Sequence, residues 1–367
     1  MKINFFEYKK LYLEHRKSYQ KIFDDVCSRG AFILQKDLES FENSLSNFLN
    51  IKYAIGVNDG TNALILSLLA NDISYGDEII LPSHTYIATA AAIKLVGATP
   101  VFADIDLKDN LISPEDIKKK ITKKTKAIMP VHVNGRICEM DKIKLIAKKN
   151  NLKIIEDGAQ SIGAKYKKHS TGYYGDCATI SFYPAKILGC FGDGGAILTN
   201  DKSLYSKLLK LRDHGRDKNG DIKLWGTNAR LDNLQAAFLD FKLKRLKQDI
   251  SRRRKIASIY NNELSMINEI SLVPSPNFKK FNFDVFQNYE IQFENRNNLK
   301  RYLEKNGIKT LIQWNGKAVH QIKPLNLKAK VPNTEIFFKR CLMLPIHTFL
   351  KDEEVAYVCK KIKEFYK

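Results

Sequence analysis

Residues 127–157 read AIMPVHVNGRICEMDKIKLIAKKNNLKIIED, which is an apolar run, a helical pattern and a second apolar run. The two apolar runs, residues 127–132 and 152–156, are short and contain β-branched residues, as strands do. Residues 140–149 lie between them and have apolar positions at helical spacing. A strand, a helix and a strand in this order predict two parallel strands of one sheet with a helix packed on it.

The same alternation extends over about residues 50–200. The further predicted strands are residues 53–57, 78–81, 99–103, 178–183 and 195–199. The further predicted helices are residues 62–70, 88–95, 114–120 and 203–211. We therefore expect an α/β fold with a mostly parallel, doubly wound sheet and helices on both faces. The strands 178–183 and 195–199 have no helix between them and should be a local exception.

A different pattern begins near residue 232. Residues 232–264 form a long helical stretch, which should link two domains, with apolar residues at the spacing of a buried face. Beyond it we predict strands at 286–292 and 310–313 and helices at 297–305 and 353–365. A chain of 367 residues is long enough for two domains. We expect a large domain of residues 1–245 and a smaller α+β C-terminal domain of residues 246–367.

The charge balance is strongly basic, because 61 Lys and Arg against 40 Asp and Glu leave a net charge of +21. Such a chain attracts anions, which include nucleic acid, acidic membrane surfaces and phosphorylated small molecules. The basic residues are scattered as on solvated helix faces, and no nucleic-acid-binding motif is present. We therefore expect no nucleic-acid partner.

Other classes of protein are excluded by patterning. No apolar run reaches the ~18 residues of a membrane span, and the start, MKINFFEYKK, has no apolar region of signal-peptide length. The six cysteines form no C-x-x-C pair, which argues against a disulfide framework and against a zinc site. We expect a cytoplasmic protein with no membrane partner and no metal.

Ligands of open parallel sheets bind beyond the carboxyl ends of the strands, so the residues that follow each strand are the candidate site. The first such segment contains Gly60 and Thr61 in a turn before a helix. Its backbone amides and the helix dipole suit a phosphate, although an ordinary N-cap turn has the same pattern. The second contains Tyr86, which either stacks on a planar ligand or belongs to the core or rim.

Two adjacent carboxylates, Glu156 and Asp157, follow the third of these strands. Buried carboxylates need partners, and only one of two adjacent side chains can face a site. A cationic ring nitrogen is one candidate partner; a metal is another, but no histidine nearby in sequence completes a ligand set.

The fourth segment places Ser181 and Lys186 ahead of a glycine-rich loop, residues 189–195. A lysine that is buried in a crevice loses proton affinity and becomes nucleophilic, as a Schiff base with a carbonyl requires. The fifth segment holds Asn228 ahead of the long helix, where it either contacts an anion or belongs to a plain helix N-terminus.

A phosphate-binding turn, a stacking ring, a carboxylate and a lysine on a doubly wound sheet match pyridoxal 5′-phosphate. The turn would hold the phosphate, and the aromatic ring would pack on the pyridine face. The carboxylate would keep the ring nitrogen protonated, and the lysine would form the Schiff base.

Several strings of the sequence resemble one known family. They are Gly60-Thr61, PSHTYIAT (residues 82–89), VFADID (101–106), IIEDGAQSIGA (154–164), GDCATISFYPAKILGCFGDGGAILTND (175–201), LRDHGR (211–216) and GTNARLDNLQAA (226–237). The chain is similar in these strings, and in their order, to the nucleotide-sugar aminotransferases of the DegT/DnrJ/EryC1/StrS family. The resemblance implies a fold type I pyridoxal-phosphate aminotransferase whose large domain binds the cofactor.

The resemblance also implies roles for individual residues. Lys186 would be the Schiff-base lysine and proton shuttle, and Asp157 the partner of the ring nitrogen. Gln160 would donate a hydrogen bond to the ring hydroxyl, and Tyr86 would stack on the ring. The phosphate would be held by Gly60, Thr61, Ser181 and, from the other subunit of a homodimer with shared active sites, Asn228.

The chain departs from the family pattern where the sugar and the nucleotide should bind. Residues 131–136 read VHVNGR where many members have V-H-x-Y-G-Q, and Phe286-Gln287-Asn288-Tyr289 replaces a segment that contains a histidine. Residues 313–321 also resemble a substrate-facing loop, and we select Lys317 and His320 from it as substrate contacts.

The expected function is transfer of an amino group from L-glutamate to C3 or C4 of a keto 6-deoxy sugar carried on a nucleotide diphosphate. The product would be an amino sugar for a surface polysaccharide such as an O-antigen, or for a glycosylated metabolite. Members with histidine in place of the lysine catalyse dehydration, so Lys186 favours transamination. The alternatives are a sugar dehydratase, another small-molecule transaminase, or a regulatory or anion-binding protein on the same scaffold.

Overall fold

The computed structural model describes residues 1–276 and 282–366. Its α-helices are α1 Tyr8–Glu14, α2 Arg16–Ser28, α3 Lys36–Leu49, α4 Gly60–Ala70, α5 Ile87–Leu95, α6 Pro114–Lys120, α7 Met140–Lys149, α8 Lys202–Arg212, α9 Asn233–Leu243, α10 Leu246–Leu264, α11 Arg296–Lys305, α12 Pro332–Arg340 and α13 Asp352–Phe365. No helix in the described ranges combines the length and the apolar character needed to cross a membrane.

The strands are β1 Tyr53–Val57, β2 Glu78–Pro82, β3 Thr99–Ala103, β4 Thr125–Ile128, β5 Lys153–Asp157, β6 Lys165–Tyr166, β7 His169–Ser170, β8 Cys177–Ser181, β9 Gly195–Thr199, β10 Ser271–Leu272, β11 Asn282–Phe283, β12 Tyr289–Gln292 and β13 Cys341–Leu344. Seven of them form the central sheet, in the order β1-β9-β8-β5-β4-β2-β3. Strands β3, β2, β4, β5 and β8 are parallel, whereas β9 is antiparallel to both of its neighbours. The predicted α/β fold is confirmed, and so is the local exception at β8 and β9.

Both faces of this sheet are covered by apolar side chains. Along β5, Ile154 packs into one core cluster and Ile155 into another, and along β2 Ile80 and Ile79 divide in the same way. Successive side chains of a strand point to opposite faces, so clusters on both sides mean that helices cover both. The helices that cover the two faces leave the carboxyl ends of the parallel strands accessible.

The smaller unit contains the antiparallel sheet β10-β12-β13. Its core cluster includes residues of α10, α11 and α13 and also Ile3 from the start of the chain. Helix α10 spans both units, because Leu246 and Ile250 pack into the large core and Ile256 into the small one. The division after residue 245 therefore stays a prediction.

Several predicted element boundaries are wrong. The strand predicted at 127–132 ends at Ile128, and after Pro130, which has no backbone N–H, a 3₁₀ turn contains Asn134 at φ 57°. The helical stretch predicted at 232–264 is two helices, since the chain turns at residues 244–245 from the large core toward the small one.

The strands predicted in the small unit are also shorter than expected. The strand predicted at 286–292 begins at Tyr289, because Phe286 has a φ of 52°. Residues 310–313 make only an isolated bridge, Leu311 with Met343, before Trp314 and Asn315 turn the chain at positive φ. Helices α1, α2 and α3 lie within residues 1–49, where no helix or strand was predicted.

Candidate active site

A cavity of about 490 Å³ opens at the carboxyl ends of β1, β5 and β8. Its wall includes most of the residues that the sequence analysis selected as cofactor contacts: Gly60, Thr61, Tyr86, Asp157, Gln160, Ser181 and Lys186. These residues come from four separate segments of the chain, and the topology of the sheet brings them together.

One end of the cavity is formed by the start of α4 and the end of β8. The Asp59 carboxylate caps α4 by accepting the Asn62 N–H at 2.8 Å. A Cβ atom at Gly60 would lie 3.0 Å from Ser181 Cβ and 3.3 Å from Ser181 Oγ, so this close approach favours glycine. A helix N-terminus beside a serine hydroxyl is a suitable site for a phosphate.

Asp157, at the end of β5, lies on the cavity wall and is 4% exposed. The Thr89 hydroxyl donates to Asp157 Oδ2 at 2.7 Å, and the Ala159 N–H donates to Oδ1 at 3.1 Å. Each carboxylate oxygen has a second lone pair, so the side chain retains acceptor capacity toward the cavity. A protonated ring nitrogen is a group that this carboxylate can pair with.

Glu156 lies on the other face of β5 and is fully buried. Its carboxylate accepts backbone N–H groups of Gly172, Tyr174 and Gly175 at 3.1, 3.2 and 2.7 Å. His132 donates from Nε2 at 2.9 Å, because its Nδ1 accepts the Cys138 N–H. The acceptor positions of Glu156 are thus filled by N–H groups of the protein, and its side chain does not line the cavity.

Lys186 lies in the loop that follows β8, and its side chain faces the same cavity as Asp157. Burial lowers the pKa of Lys186 to about 8, and the Asp157 carboxylate opposes this effect by stabilising the ammonium form. With that pKa, about a tenth of the amine is uncharged at pH 7, against far less than a hundredth for an ordinary lysine. The lowered pKa leaves more of the Lys186 amine in the uncharged form, which is the form that a nucleophilic amine requires.

Gln160 is oriented by a hydrogen bond from the loop that follows β4. Its Oε1 accepts the Asn134 N–H at 2.7 Å, which leaves the side-chain NH₂ as the free group. Asn134 is itself held by its side chain, because its Nδ2 donates to buried Glu290 at 2.9 Å. Gln160 can therefore serve as a hydrogen-bond donor, the role that the family resemblance implies.

The aromatic wall is formed by Tyr86 and Trp314, whose ring centroids are 6.3 Å apart. Tyr86 is 57% exposed at the start of α5, so its ring is available to a planar ligand. Trp314 was not selected from the sequence, although it lies in the 313–321 segment. Thr89 was also missed; its signal was its place three residues after Tyr86, in the first turn of the helix.

Three selected residues are not on this cavity wall. Asn228 is exposed, and its Oδ1 accepts from Arg230 Nε at 3.0 Å. Lys317 is exposed as well. His320 contacts the Ser83 hydroxyl through Nδ1 at 2.7 Å, which fastens its segment to the end of β2. The proposed substrate roles of Lys317 and His320 remain predictions.

Residues 14–363 of the chain match the DegT/DnrJ/EryC1/StrS aminotransferase family. The dTDP-3-amino-3,6-dideoxy-alpha-D-galactopyranose transaminase of Aneurinibacillus thermoaerophilus is 39% identical over 99% of both chains. A pleiotropic regulatory protein of Geobacillus stearothermophilus is 35% identical over 100% of this chain and 99% of its own. The crystal structure of S. venezuelae DesV in complex with a ketimine intermediate superimposes with a TM-score of 0.96 at 34% identity, covering 100% of this chain and 99% of DesV.

Proposed function

Because the chain belongs to the DegT/DnrJ/EryC1/StrS aminotransferase family, we propose that it uses pyridoxal 5′-phosphate to transfer an amino group from L-glutamate to a keto sugar on a nucleotide diphosphate. The observation that carries this proposal is the cavity that Lys186, Asp157 and the start of α4 share. A nucleophilic amine, a carboxylate and a phosphate site in one cavity are the groups that this cofactor requires.

The residues that would hold the cofactor are distributed around the cavity. The start of α4 and Ser181 would bind its phosphate, and Tyr86 would pack on its ring. Asp157 would pair with the ring nitrogen, and Gln160 would donate to the ring hydroxyl. When bound, pyridoxal phosphate delocalises the electron pair that is left when the Cα–H bond of an amino acid breaks.

Lys186 has two roles in the proposed reaction. As the covalent anchor, its Nζ would hold the cofactor in the resting protein. As a free amine in the same cavity, it would accept the Cα proton of the substrate as a general base and return a proton as a general acid. A pKa of about 8 suits both directions near neutral pH, since neither protonation state is rare.

The substrate assignment follows from similarity along the whole chain. The A. thermoaerophilus relative, which covers 99% of this chain, acts on a dTDP-linked deoxy sugar. The net charge of +21 suits an anionic diphosphate. We therefore assign a nucleotide-linked keto sugar as amino acceptor, with the amine formed at C3 or C4 and used in polysaccharide or metabolite biosynthesis.

The direct assay is amino transfer. Protein loaded with pyridoxal phosphate is incubated with L-glutamate and then with dTDP-, UDP- or GDP-linked keto sugars. We expect 2-oxoglutarate to form and one class of keto sugar to become an amine, as detected by mass spectrometry. Absence of 2-oxoglutarate, or of an amine from every keto sugar, would count against the proposal, and Lys186→Ala is the inactive control.

A homodimer with shared sites is the second part of the proposal. Asn228 lies outside the cavity, and its segment exposes Trp225 and Ile222, at 97% and 62%. Exposed large apolar side chains are typical of interaction surfaces. We assign this segment to contact with a second copy, in which Asn228 would reach the phosphate site.

This assignment is tested by mixing two inactive variants, Lys186→Ala and Asn228→Asp. A hybrid dimer would contain one site with both wild-type residues, so part of the activity should return. An aspartate near a phosphate is repelled by on the order of 1–4 kcal/mol at high effective dielectric, which should lower cofactor occupancy visibly. An active monomer, or hybrids that form without regaining activity, would contradict the shared site.

A regulatory role without catalysis is the second candidate, because the G. stearothermophilus relative is named a pleiotropic regulatory protein. Binding alone does not require an amine with a lowered pKa. The same assay separates the two candidates, since a purely regulatory protein would produce no 2-oxoglutarate.

A further inference from the structure

The backbone on both sides of Lys186 is held by one side chain from the smaller unit. Gln287 Oε1 accepts the Ile187 N–H at 2.9 Å, and Gln287 Nε2 donates to the Ala185 carbonyl at 2.8 Å. We call this pair of hydrogen bonds the Gln287 clamp. Gln287 is only 6% exposed, and Ala185 and Ile187 are half-buried.

The clamp is the partner that the Lys186 loop requires. Residues 182–194 form neither strand nor helix, so their backbone groups lack a regular ladder. The Lys186 N–H donates to the Tyr183 carbonyl at 2.8 Å, while its two neighbours bond to Gln287. Without the clamp the Ala185 carbonyl and the Ile187 N–H would lack these partners, so loss of the clamp should force this loop to move.

Gln287 is itself held in place from two sides. Arg253 of α10 donates from Nη1 to the Phe286 and Gln287 carbonyls, at 3.2 and 3.1 Å. On the other side, a Cβ at Gly135 would lie 2.8 Å from the Gln287 backbone nitrogen, so the two segments are in close contact. These contacts fix the backbone of Gln287, from which its side chain extends to the Lys186 loop.

We infer that Gln287 is a positioning residue that sets the place of the Lys186 amine through the peptide groups on either side of it. Gln287 does not line the cavity, so its effect passes through the backbone. This inference rests on the proposed function, because it concerns the lysine assigned to the cofactor.

The same loop offers a matched control. Gln235 of α9 accepts the Phe191 N–H at 2.9 Å and donates to the Phe191 carbonyl at 3.0 Å. This arrangement has the same chemistry and lies five residues from Lys186 along the chain, but it does not flank the lysine. A comparison of Gln287→Met with Gln235→Met therefore separates positioning of Lys186 from general support of the loop.

The first measurement uses the protein without cofactor. Trace acetylation with acetic anhydride, followed by peptide mass spectrometry across a pH series, reports the reactivity of the Lys186 amine. In the wild type the midpoint should lie at about 8. In Gln287→Met the loosened loop lets water reach the ammonium form, so the midpoint should rise by about one unit or more. In Gln235→Met it should stay near the wild-type value.

The second measurement uses the loaded protein. Misplacement of a reacting group by about 1 Å can cost 10²-fold, so we expect kcat of the glutamate half-reaction to fall by roughly 10- to 100-fold in Gln287→Met. The KM for glutamate should change by less than about threefold, because no substrate contact is removed. Gln287→Glu keeps the acceptor for Ile187 but places a carboxylate oxygen against the Ala185 carbonyl, so its kcat should fall at least as far as that of Gln287→Met.

Equal changes in Gln287→Met and Gln235→Met, in the midpoint or in kcat, would overturn the inference. If Gln287→Met does not fold, as judged by its melting curve, Gln287→Glu replaces it in both measurements. Equal changes of the midpoint or of kcat in Gln287→Glu and Gln235→Met would then overturn the inference. Failure of the wild type to transfer amino groups would reject the proposed function instead. The acetylation midpoints would still decide the role of Gln287, because they require no cofactor.

Discussion

The two carboxylates at the end of β5 lie on opposite faces of the central sheet and have different hydrogen-bond partners. Glu156 receives three backbone N–H groups and an imidazole N–H, all from the protein itself. Asp157 receives one hydroxyl and one N–H, and its open side faces a cavity that also contains Lys186. Both side chains are carboxylates. They differ in how many of their acceptor positions are filled by hydrogen-bond donors of the protein.

A carboxylate whose acceptor sites are filled by the fold stabilises the fold, since each donor would otherwise be buried without a partner. A carboxylate with acceptor capacity left over is available to a ligand. The hydrogen-bond partners therefore support the proposal that Glu156 stabilises the fold and that Asp157 binds the cofactor.

Removing the amine opposite Asp157 should have the greatest consequence. Lys186→Ala deletes both the covalent attachment and the general base, so turnover should fall by about 10⁴-fold or more. The apoprotein should remain folded, because a buried amine with a lowered pKa is replaced by a methyl group. Steady-state assays and a thermal melt check the two statements, and full activity in this variant would refute the assignment of Lys186.

The two carboxylates should respond in opposite ways to loss of charge. Asp157→Asn removes the partner of the ring nitrogen and should lower turnover by roughly 10²-fold with little change in Tm, since general acid–base and electrostatic groups contribute about that much. Glu156→Gln leaves at least one buried N–H without an acceptor, which costs about 1–3 kcal/mol of unfolding free energy. Its turnover per folded molecule should change by less than about threefold. Denaturant melts and kinetics, measured on both variants, compare the losses of stability and of turnover. A larger loss of turnover in Glu156→Gln than in Asp157→Asn would exclude this division of roles.

The pH dependence of Lys186 reports on the same contrast. Because burial brings its pKa to about 8, cofactor uptake by the apoprotein should accelerate as pH rises through 8 and then level off. Asp157 favours the ammonium form, so Asp157→Asn should move this midpoint below the wild-type value. Glu156→Gln should leave it in place, because Glu156 lies on the other face. The rise in absorbance on mixing with pyridoxal phosphate, followed at several pH values, measures each midpoint; an upward shift in Asp157→Asn would contradict the account.

A smaller effect is expected at the aromatic wall. Tyr86→Leu keeps an apolar contact and loses the stacked ring, so the cofactor Kd should rise by at most about tenfold, the equivalent of 0.5–1.5 kcal/mol. Tyr75→Leu is the control, because Tyr75 is 91% exposed and is not part of the cavity wall. Equilibrium dialysis compares the two, and equal Kd values would show that the Tyr86 ring does not contact the cofactor.

The sequence predicted which residues at the strand ends line the cavity, because strand periodicity is local. Alternation along the strand was enough to predict that Glu156 and Asp157 face opposite sides, whereas the choice of Asp157 and Lys186 also depended on the family resemblance. A strand end is defined by its own few residues, so its chemistry can be read without knowledge of the rest of the fold.

The surroundings of these residues could not be predicted in the same way. The N–H donors of Glu156 come from residues 172–175, and Gln287 reaches the Lys186 loop from about a hundred residues away along the chain. His320 is bonded through its ring to Ser83, which lies more than two hundred residues before it in the chain. Such contacts depend on how segments that are far apart along the chain pack together, so they cannot be predicted from a local sequence pattern.

Peptide mapping after borohydride reduction tests most directly whether this cavity binds pyridoxal phosphate through Lys186. The apoprotein is mixed with one equivalent of pyridoxal phosphate, reduced, digested and analysed by mass spectrometry. We predict a single phosphopyridoxyl group on the peptide that contains Lys186, and its loss when L-glutamate is added before the reductant. Label spread over surface lysines, or a Lys186 peptide that stays unmodified, would contradict the assignment of this cavity as the active site.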